Sequence, residues 1–230
     1  MECAALNFPD LLVMKGQYQV RPELPFVPGM EGVGRIVEVG ADSRHAVGDR
    51  VIINGLWGCL AQLCAAEDPY LFSIPEDMDA AEAAAMHVIY QTSHFALTRR
   101  CSVSAGETLL VHGGSGGVGT SAIQIGKALG ARVIATGSSA AKLEVCRRAG
   151  ADELIDYEKD DFVARVLELT EGRGADLIYD PVGGDVFDKS SKCIAFGGRL
   201  LVIGFASGRI PSITANRILL KNISVIGLHW

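Results

Sequence analysis

The sequence predicts an α/β protein, with a doubly wound parallel sheet of six strands preceded by an irregular β domain. Three observations carry that expectation. From Thr108 onward, short apolar runs alternate with stretches of helical periodicity, the pattern of strands joined by helical crossovers. One of those runs, Thr108-Leu-Leu-Val-His112, opens directly into Gly113-Gly-Ser-Gly-Gly-Val-Gly119. Before residue 80 the chain is instead dense in glycine, proline and valine, as in short strands bounded by turns.

Taken in order, Val33, Ile36, Val37 and Val39, then Val47–Ile53, read as strands, and a further strand-rich piece is expected from Leu60 to Ile74. Pro22, Pro25 and Pro28 rule out helix across 21–29. At Asp79 the pattern changes to an alanine-rich, helix-like stretch that carries on to Leu97, read as one or two helices. Strands are then expected at 108–112, 132–136, 153–156, 175–180, 198–203 and 223–228. Helices are expected at about 117–129, 139–149, 160–170, 184–194 and 214–221. The domains so defined are 1–90 and 91–230.

Gly114, Gly116 and Gly119 fill a G-x-G-x-x-G frame between a strand and a helix. In such a frame the first glycine allows a tight turn, the second lets a pyrophosphate approach the backbone, and the third lets the helix lie close to the sheet. The helix N-terminus offers unpaired N–H groups and a partial positive charge to the phosphates. Gly114, Ser115, Gly116, Gly117, Val118 and Gly119 are therefore candidate dinucleotide-binding positions. The second strand of this domain ends in Gly137-Ser138-Ser139, where binders of NAD carry a carboxylate for the ribose hydroxyls. Small hydroxyls at that point, with Lys142 as counter-charge, suit a 2′-phosphate and favour NADPH over NADH. In open sheets of this kind ligands sit beyond the carboxyl ends of the strands. That also brings in the loops at 137–139, 180–184 and 204–208.

Composition narrows the remaining classes. With 49% hydrophobic and 21% charged residues the chain can fill a core. A net charge of −6 with no long basic run points away from nucleic acid. No apolar stretch reaches the length of a membrane span, and the start has no signal-peptide pattern; the expectation is a cytoplasmic protein without membrane partners. The six cysteines form no C-x-x-C pair and read as reduced thiols.

Asn7-Phe-Pro-Asp10, Pro25-Phe-Val-Pro-Gly-Met-Glu-Gly32, Val47-Gly-Asp-Arg-Val51, Gly114–Gly119, Gly150-Ala-Asp152 with Ile155-Asp-Tyr157, and Asp180-Pro-Val-Gly-Gly-Asp185 follow one another along the chain. In this order they resemble the zinc-independent medium-chain dehydrogenases/reductases of the NADPH:quinone oxidoreductase (zeta-crystallin-like) type. The resemblance implies a Rossmann domain beside a partial GroES-like β domain, with nicotinamide and substrate in the cleft between them. It implies that Ser138, Lys142 and Tyr157 surround the 2′-phosphate, and that Thr92 and the Gly204–Phe205 turn lie near the nicotinamide. It also implies that Asn7, Asp10 and Tyr18 face the cleft as candidate catalytic residues. A local turn or helix cap explains Asn7 and Asp10 equally.

Zinc-dependent relatives carry Gly-His-Glu where this chain reads Gly29-Met30-Glu31. No metal is therefore expected, and Glu31 is expected to be buried and hydrogen-bonded. Without a Lewis acid, quinones and α,β-unsaturated carbonyls are the acceptors of choice, because conjugation already spreads the negative charge that hydride addition creates. The alternatives are an enoyl-thioester reductase, and a non-catalytic NADPH-binding fragment or structural protein. A homodimer through the final strand is the family expectation. Set beside that family, this chain is expected to lack the opening strands of the GroES-like domain and the C-terminal segment that returns to it.

Overall fold

The computed structural model describes residues 1–229, and the chain divides into two compact units, Met1–Gln91 and Thr92–Trp230.

The first unit is built on an antiparallel sheet of four strands in sequence order: β1 (Cys3–Ala5), β2 (Glu31–Arg35), β3 (Arg50–Asn54) and β4 (Leu71–Ser73). Helix α1 (Phe8–Met14) leaves β1, and α2 (Ala80–Ala84) covers one face, where Ala83 and Ala84 meet Val33 and Ile52. Val51, Ile53 and Leu71 point to the opposite face and pack with Cys59. This is the two-residue alternation of a strand in use on both sides.

Several elements differ from expectation here. A strand does stand ahead of Asn7: β1, three residues long, pairs with Glu31–Val33, and Cys-Ala-Ala carries too little pattern to be read without its partner. The strand expected to run through Val39 ends at Arg35, and Val37 is 66% exposed. Of the piece from Leu60 to Ile74, only Leu71–Ser73 pairs as a strand. Helix α1 is the helix-cap alternative for Asn7 and Asp10: Asn7 is its N-cap, Asp10 closes the capping box at N3, and Pro9 sits in the first turn, where proline is compatible with a helix.

Helix α3 (His87–His94) continues into a π-helical segment, Phe95–Arg100. The second unit then alternates β5 (Thr108–Val111), α4 (Gly117–Ala128), β6 (Arg132–Gly137), α5 (Ala140–Arg148), β7 (Glu153–Asp156), α6 (Phe162–Leu169), β8 (Ala175–Asp180), α7 (Gly184–Cys193), β9 (Ile194–Val202), α8 (Ala215–Lys221) and β10 (Ser224–Gly227). All six strands are parallel, in the order β10-β9-β8-β5-β6-β7. That order reverses direction between β5 and β8, which is the switch point of a doubly wound sheet.

The central strands β5, β6 and β8 are buried on both faces, as a parallel sheet requires. Leu109, Val111, Val133, Ala135, Leu177 and Tyr179 form one core with Ala122 and Ile123 of α4. Leu110, Ile134, Ile178 and Leu200 form the other with Phe162 and Val166 of α6 and Phe187 of α7. Among the described residues, no helix is long and apolar enough to cross a membrane.

Candidate active site

The turn from β5 into α4 sits beside the switch point. Gly113 is the residue in the left-handed region, at φ +58°, so the tight turn falls one position before the first glycine of the frame. Gly114 is needed for space instead: a Cβ there would lie 2.9 Å from Cys146 Sγ and 3.0 Å from Ala135 Cβ. At Gly119 a Cβ would collide with the Gly113 carbonyl and lie 2.8 Å from Gly114 Cα. The third glycine thus closes the loop on itself. The close approach of helix to strand belongs to Gly126, whose added Cβ would stand 2.6 Å from Leu109 Cδ2.

The loop tip, Gly116 and Gly117, is exposed. Gly116 is the N-cap of α4 and can supply no side-chain cap, and no acidic residue occupies the first turn. By contrast α2, α5 and α6 are capped by Asp79, Ser139 and Asp161. The first-turn N–H groups of α4, at Gly117, Val118 and Gly119, have no acceptor one turn earlier. No acidic side chain in the first turn compensates the positive end of the helix. This is an anion cradle, and it fits a dinucleotide's pyrophosphate.

Beneath the cradle lies a buried hydroxyl network that the sequence reading missed. Ser93 Oγ is 2.7 Å from Ser121 Oγ and 2.9 Å from the Tyr179 hydroxyl, and it is 3.1 Å from the carbonyl of Val118. Burial pushes the Tyr179 phenol well above its ordinary range, so it stays a neutral donor or acceptor. His112, at the mouth of β5, is buried between Ser190 Oγ (2.9 Å from Nε2) and Thr136 Oγ1 (3.3 Å from Nδ1). Its ring also meets Phe162 edge-on. Burial depresses His112 to about 3, so it is a neutral structural imidazole.

At the end of β6, Lys142 Nζ donates to Ser138 Oγ at 2.8 Å, and the Tyr157 N–H donates to the Gly137 carbonyl at 3.1 Å. The structure therefore brings Ser138, Lys142 and Tyr157 together around one strand end. Asp156, which pairs with Gly137 across the ladder, is a carboxylate that the reading of β6 alone overlooked. It is held 2.9 Å from Lys159, and that hydrogen bond keeps its carboxyl below the usual range.

Across the switch point, the Asp180–Gly184 turn and the loop after β9 run side by side. The N–H groups of Ala206 and Ser207 donate to the carbonyls of Pro181 (3.1 Å) and Val182 (2.9 Å). Gly183 takes φ +69°, and a Cβ there would press within 3.0 Å of Phe205 Cδ1. Gly204 and Phe205 are so placed against the switch-point turn. Asp180 Oδ1 accepts from the N–H groups of Val182 (2.8 Å) and Gly183 (2.9 Å). Its other oxygen, Oδ2, is buried with no hydrogen-bond partner among the described residues, and burial raises its carboxyl above the ordinary value. Thr92 is buried near the end of α3.

In the first unit, Glu31 is fully buried and accepts from Asn7 Nδ2 and from the Val88 N–H, each at 2.7 Å. Burial raises Glu31, and the two hydrogen bonds oppose that rise. Asp10 is buried too, and its Oδ2 accepts from the Asn7 N–H at 2.8 Å, closing the first turn of α1. Asn7 is thereby held from both its backbone and its side chain. Tyr18 is half-buried beyond α1, where burial raises its phenol. Met30 is buried beside Glu31.

Two family models cover most of the chain: an alcohol dehydrogenase GroES-like domain over residues 1–81, and a zinc-binding dehydrogenase domain over 117–230. A quinone oxidoreductase from Pseudomonas syringae has the same fold, with a TM-score of 0.90 and 33% identity over 99% of this chain and 71% of its own. The chain belongs to the medium-chain dehydrogenase/reductase family. The quinone oxidoreductase of Thermus thermophilus, solved also in complex with NADPH, is 34% identical at a TM-score of 0.82, covering 99% of this chain and 70% of that one. The quinone oxidoreductase-like protein 2 homolog of Nematostella vectensis is 40% identical over 98% of this chain. The chain spans 62% of that relative's length and 65% of its bovine counterpart's.

Proposed function

We propose that this chain binds NADPH on its second unit and serves a reductase that transfers hydride to quinones or α,β-unsaturated carbonyls without zinc. The observation that carries the reading is the uncapped, glycine-built N-terminus of α4 beside the Lys142–Ser138 pair. NADPH, when bound, supplies the hydride.

The chain's own residues would do the rest. The first-turn N–H groups of α4 take the pyrophosphate. Ser138 and Lys142 donate to the 2′-phosphate, and Tyr157 flanks it. Thr92, Gly204 and Phe205 bound the nicotinamide region. Asn7 and Tyr18 are the hydrogen-bond donors proposed for the oxyanion that develops on the acceptor. Asp10 and Glu31 act one step back, fixing the Asn7 backbone and amide. In the zinc-independent reading the buried thioether of Met30 replaces the imidazole of zinc enzymes, leaving conjugation in the acceptor to stabilise charge. The relatives named quinone oxidoreductase support this acceptor class. Homodimerisation belongs to the same proposal: among the described residues β10 is the edge strand of its sheet, next to β9, and an edge strand can pair with a second copy.

Nicotinamide fluorescence titration with NADPH and with NADH, followed by addition of 1,4-benzoquinone or an enone, tests the whole reading. Selective NADPH binding with acceptor-dependent oxidation is the expected result. Selective binding without oxidation would remove the reductase assignment and leave a nucleotide-binding protein. Equal affinity for the two cofactors would overturn the role given to Ser138 and Lys142.

A further inference from the structure

Asp180 closes β8 at the switch point, and the turn that follows it supports the loop after β9. Three consecutive carbonyls hold that loop. The Asp180 carbonyl accepts from the N–H groups of Ile203 (2.9 Å) and Gly204 (3.4 Å), that of Pro181 from Ala206 (3.1 Å), and that of Val182 from Ser207 (2.9 Å). The Gly184 N–H donates back to the Arg209 carbonyl at 3.1 Å. The two segments lie too close for side chains between them: a Cβ on Gly183 would stand 3.0 Å from Phe205 Cδ1, and one on Gly184 2.6 Å from Ser207 Oγ. At the far end of the loop, Arg209 is anchored on Asp185 (2.8 Å) and Asp188 (2.6 Å) of α7.

One side chain shapes this turn. Asp180 is only 1% exposed, and its Oδ1 accepts from the N–H groups of both Val182 (2.8 Å) and Gly183 (2.9 Å). Two donors converging on one oxygen fix how the backbone folds over residues 181–183, as Asp side chains do in local turns. Gly183 completes the turn at φ +69°. Burying a carboxyl costs free energy unless its hydrogen bonds are made, and both of these are made to the segment under Phe205.

We propose that Asp180 is a positioning residue for the nicotinamide end of the cofactor, setting the turn whose carbonyls hold the Gly204–Phe205 loop in place. This rests on the NADPH reading given above, in which Gly204 and Phe205 bound the nicotinamide region. The carboxyl acts at one remove: it holds Val182 and Gly183, and these carry Ser207 and Phe205. The pyrophosphate cradle and the Ser138–Lys142 pair are built on other strand ends, those of β5 and β6. Loss of the Asp180 hydrogen bonds is therefore felt at one end of the dinucleotide and not at the other.

The test is calorimetric titration of the full chain with NADPH and with 2′-phospho-ADP-ribose, which keeps the pyrophosphate and the 2′-phosphate but lacks the nicotinamide. The wild-type chain is expected to bind NADPH more tightly than the fragment. Asp180→Ala is expected to lose about tenfold toward NADPH, the share of one or two hydrogen bonds, and to bind the fragment within about twofold of wild type. Asp180→Asn keeps an accepting oxygen and is expected to restore most of the NADPH affinity. Gly183→Ala leaves Asp180 in place and presses on Phe205 instead; it is expected to show the same selective loss, and it carries the test should Asp180→Ala fail to fold. A parallel loss of both ligands in these variants, an Asp180→Asn no better than alanine, or equal wild-type affinity for the two ligands overturns the role given to Asp180 alone. A wild-type chain that binds neither ligand removes the NADPH reading and this inference with it.

Discussion

The Tyr179 hydroxyl and Ser93 Oγ meet at 2.9 Å beneath the first turn of α4, joining the end of β8 to a helix 86 residues away in sequence. Proton placement in the cluster is self-consistent if Tyr179 donates to Ser93, Ser93 to Ser121, and Ser121 to the Val118 carbonyl. The two ends of that bond are not equivalent to remove. Tyr179→Phe leaves Ser93 its other partners and is expected to cost about 1 kcal/mol. Ser93→Ala strands a buried phenol and is expected to cost more, roughly 1–3 kcal/mol. Urea unfolding of the two variants gives the order; equal losses would show that the phenol finds another partner.

Gly119→Ala places a methyl against the loop backbone rather than against a movable side chain. NADPH affinity is expected to fall by roughly tenfold or more, because the loop must open to admit the methyl. Gly126→Ala meets the ends of side chains, Leu109 Cδ2 at 2.6 Å and Val133 Cγ2 at 3.3 Å, and no backbone. It is expected to lower stability by about 1–3 kcal/mol while leaving affinity near wild type. Fluorescence titration together with thermal melts separates the two.

Lys142→Ala removes a cation whose proposed use is the 2′-phosphate alone. NADPH binding is expected to weaken by about tenfold, a charge-assisted hydrogen bond's share, with NADH binding unchanged. Adding Ser138→Asp is expected to reverse the preference. A parallel loss for both cofactors in the single variant would mean that Lys142 serves the fold and not the phosphate.

His112 makes the second unit acid-sensitive. Its folded value, about 3, lies below the ordinary histidine value, so between roughly pH 6.5 and pH 3 the unfolded chain binds the extra proton. Stability contributed by this group is complete above that window and is lost as pH falls through it, by about 1.4 kcal/mol per pH unit. His112→Gln, which keeps polar atoms toward Ser190 and Thr136, is expected to flatten the decline between pH 6 and pH 4 in denaturant titrations. An unchanged slope would place the acid sensitivity elsewhere.

Glu31 runs in the opposite direction. Its carboxyl is raised by burial, so the folded state holds the proton longer than the unfolded state. The burden of ionising it grows as pH rises from the ordinary carboxylate value to the raised one. Relative to wild type, Glu31→Gln is expected to gain stability across that interval, whatever its offset from the altered bond to Val88. Unfolding curves from about pH 4 to pH 7 would show the converging trend, and a constant difference would contradict it.

What could be read from the sequence was the local and periodic part. The alternation after Thr108 placed all six parallel strands, because a strand buried on both faces has to be a continuous apolar run, and its crossover helix has to carry an apolar stripe. The glycine frame and the lack of a carboxylate at the end of β6 were legible for the same reason, each being a property of a few consecutive residues. Met30 and the expected burial of Glu31 were visible in the Gly29-Met30-Glu31 run.

Only the tertiary structure decided the rest, and the physical reason is distance along the chain. Ser93 and Tyr179, and Glu31 and Val88, are contacts created by packing across 86 and 57 residues of chain, to which no local propensity contributes. The left-handed turn is at Gly113, while Gly114 is held to glycine by Cys146 and Ala135, which leave no room for a side chain. Strand β1, three residues long, exists because β2 offers it an edge.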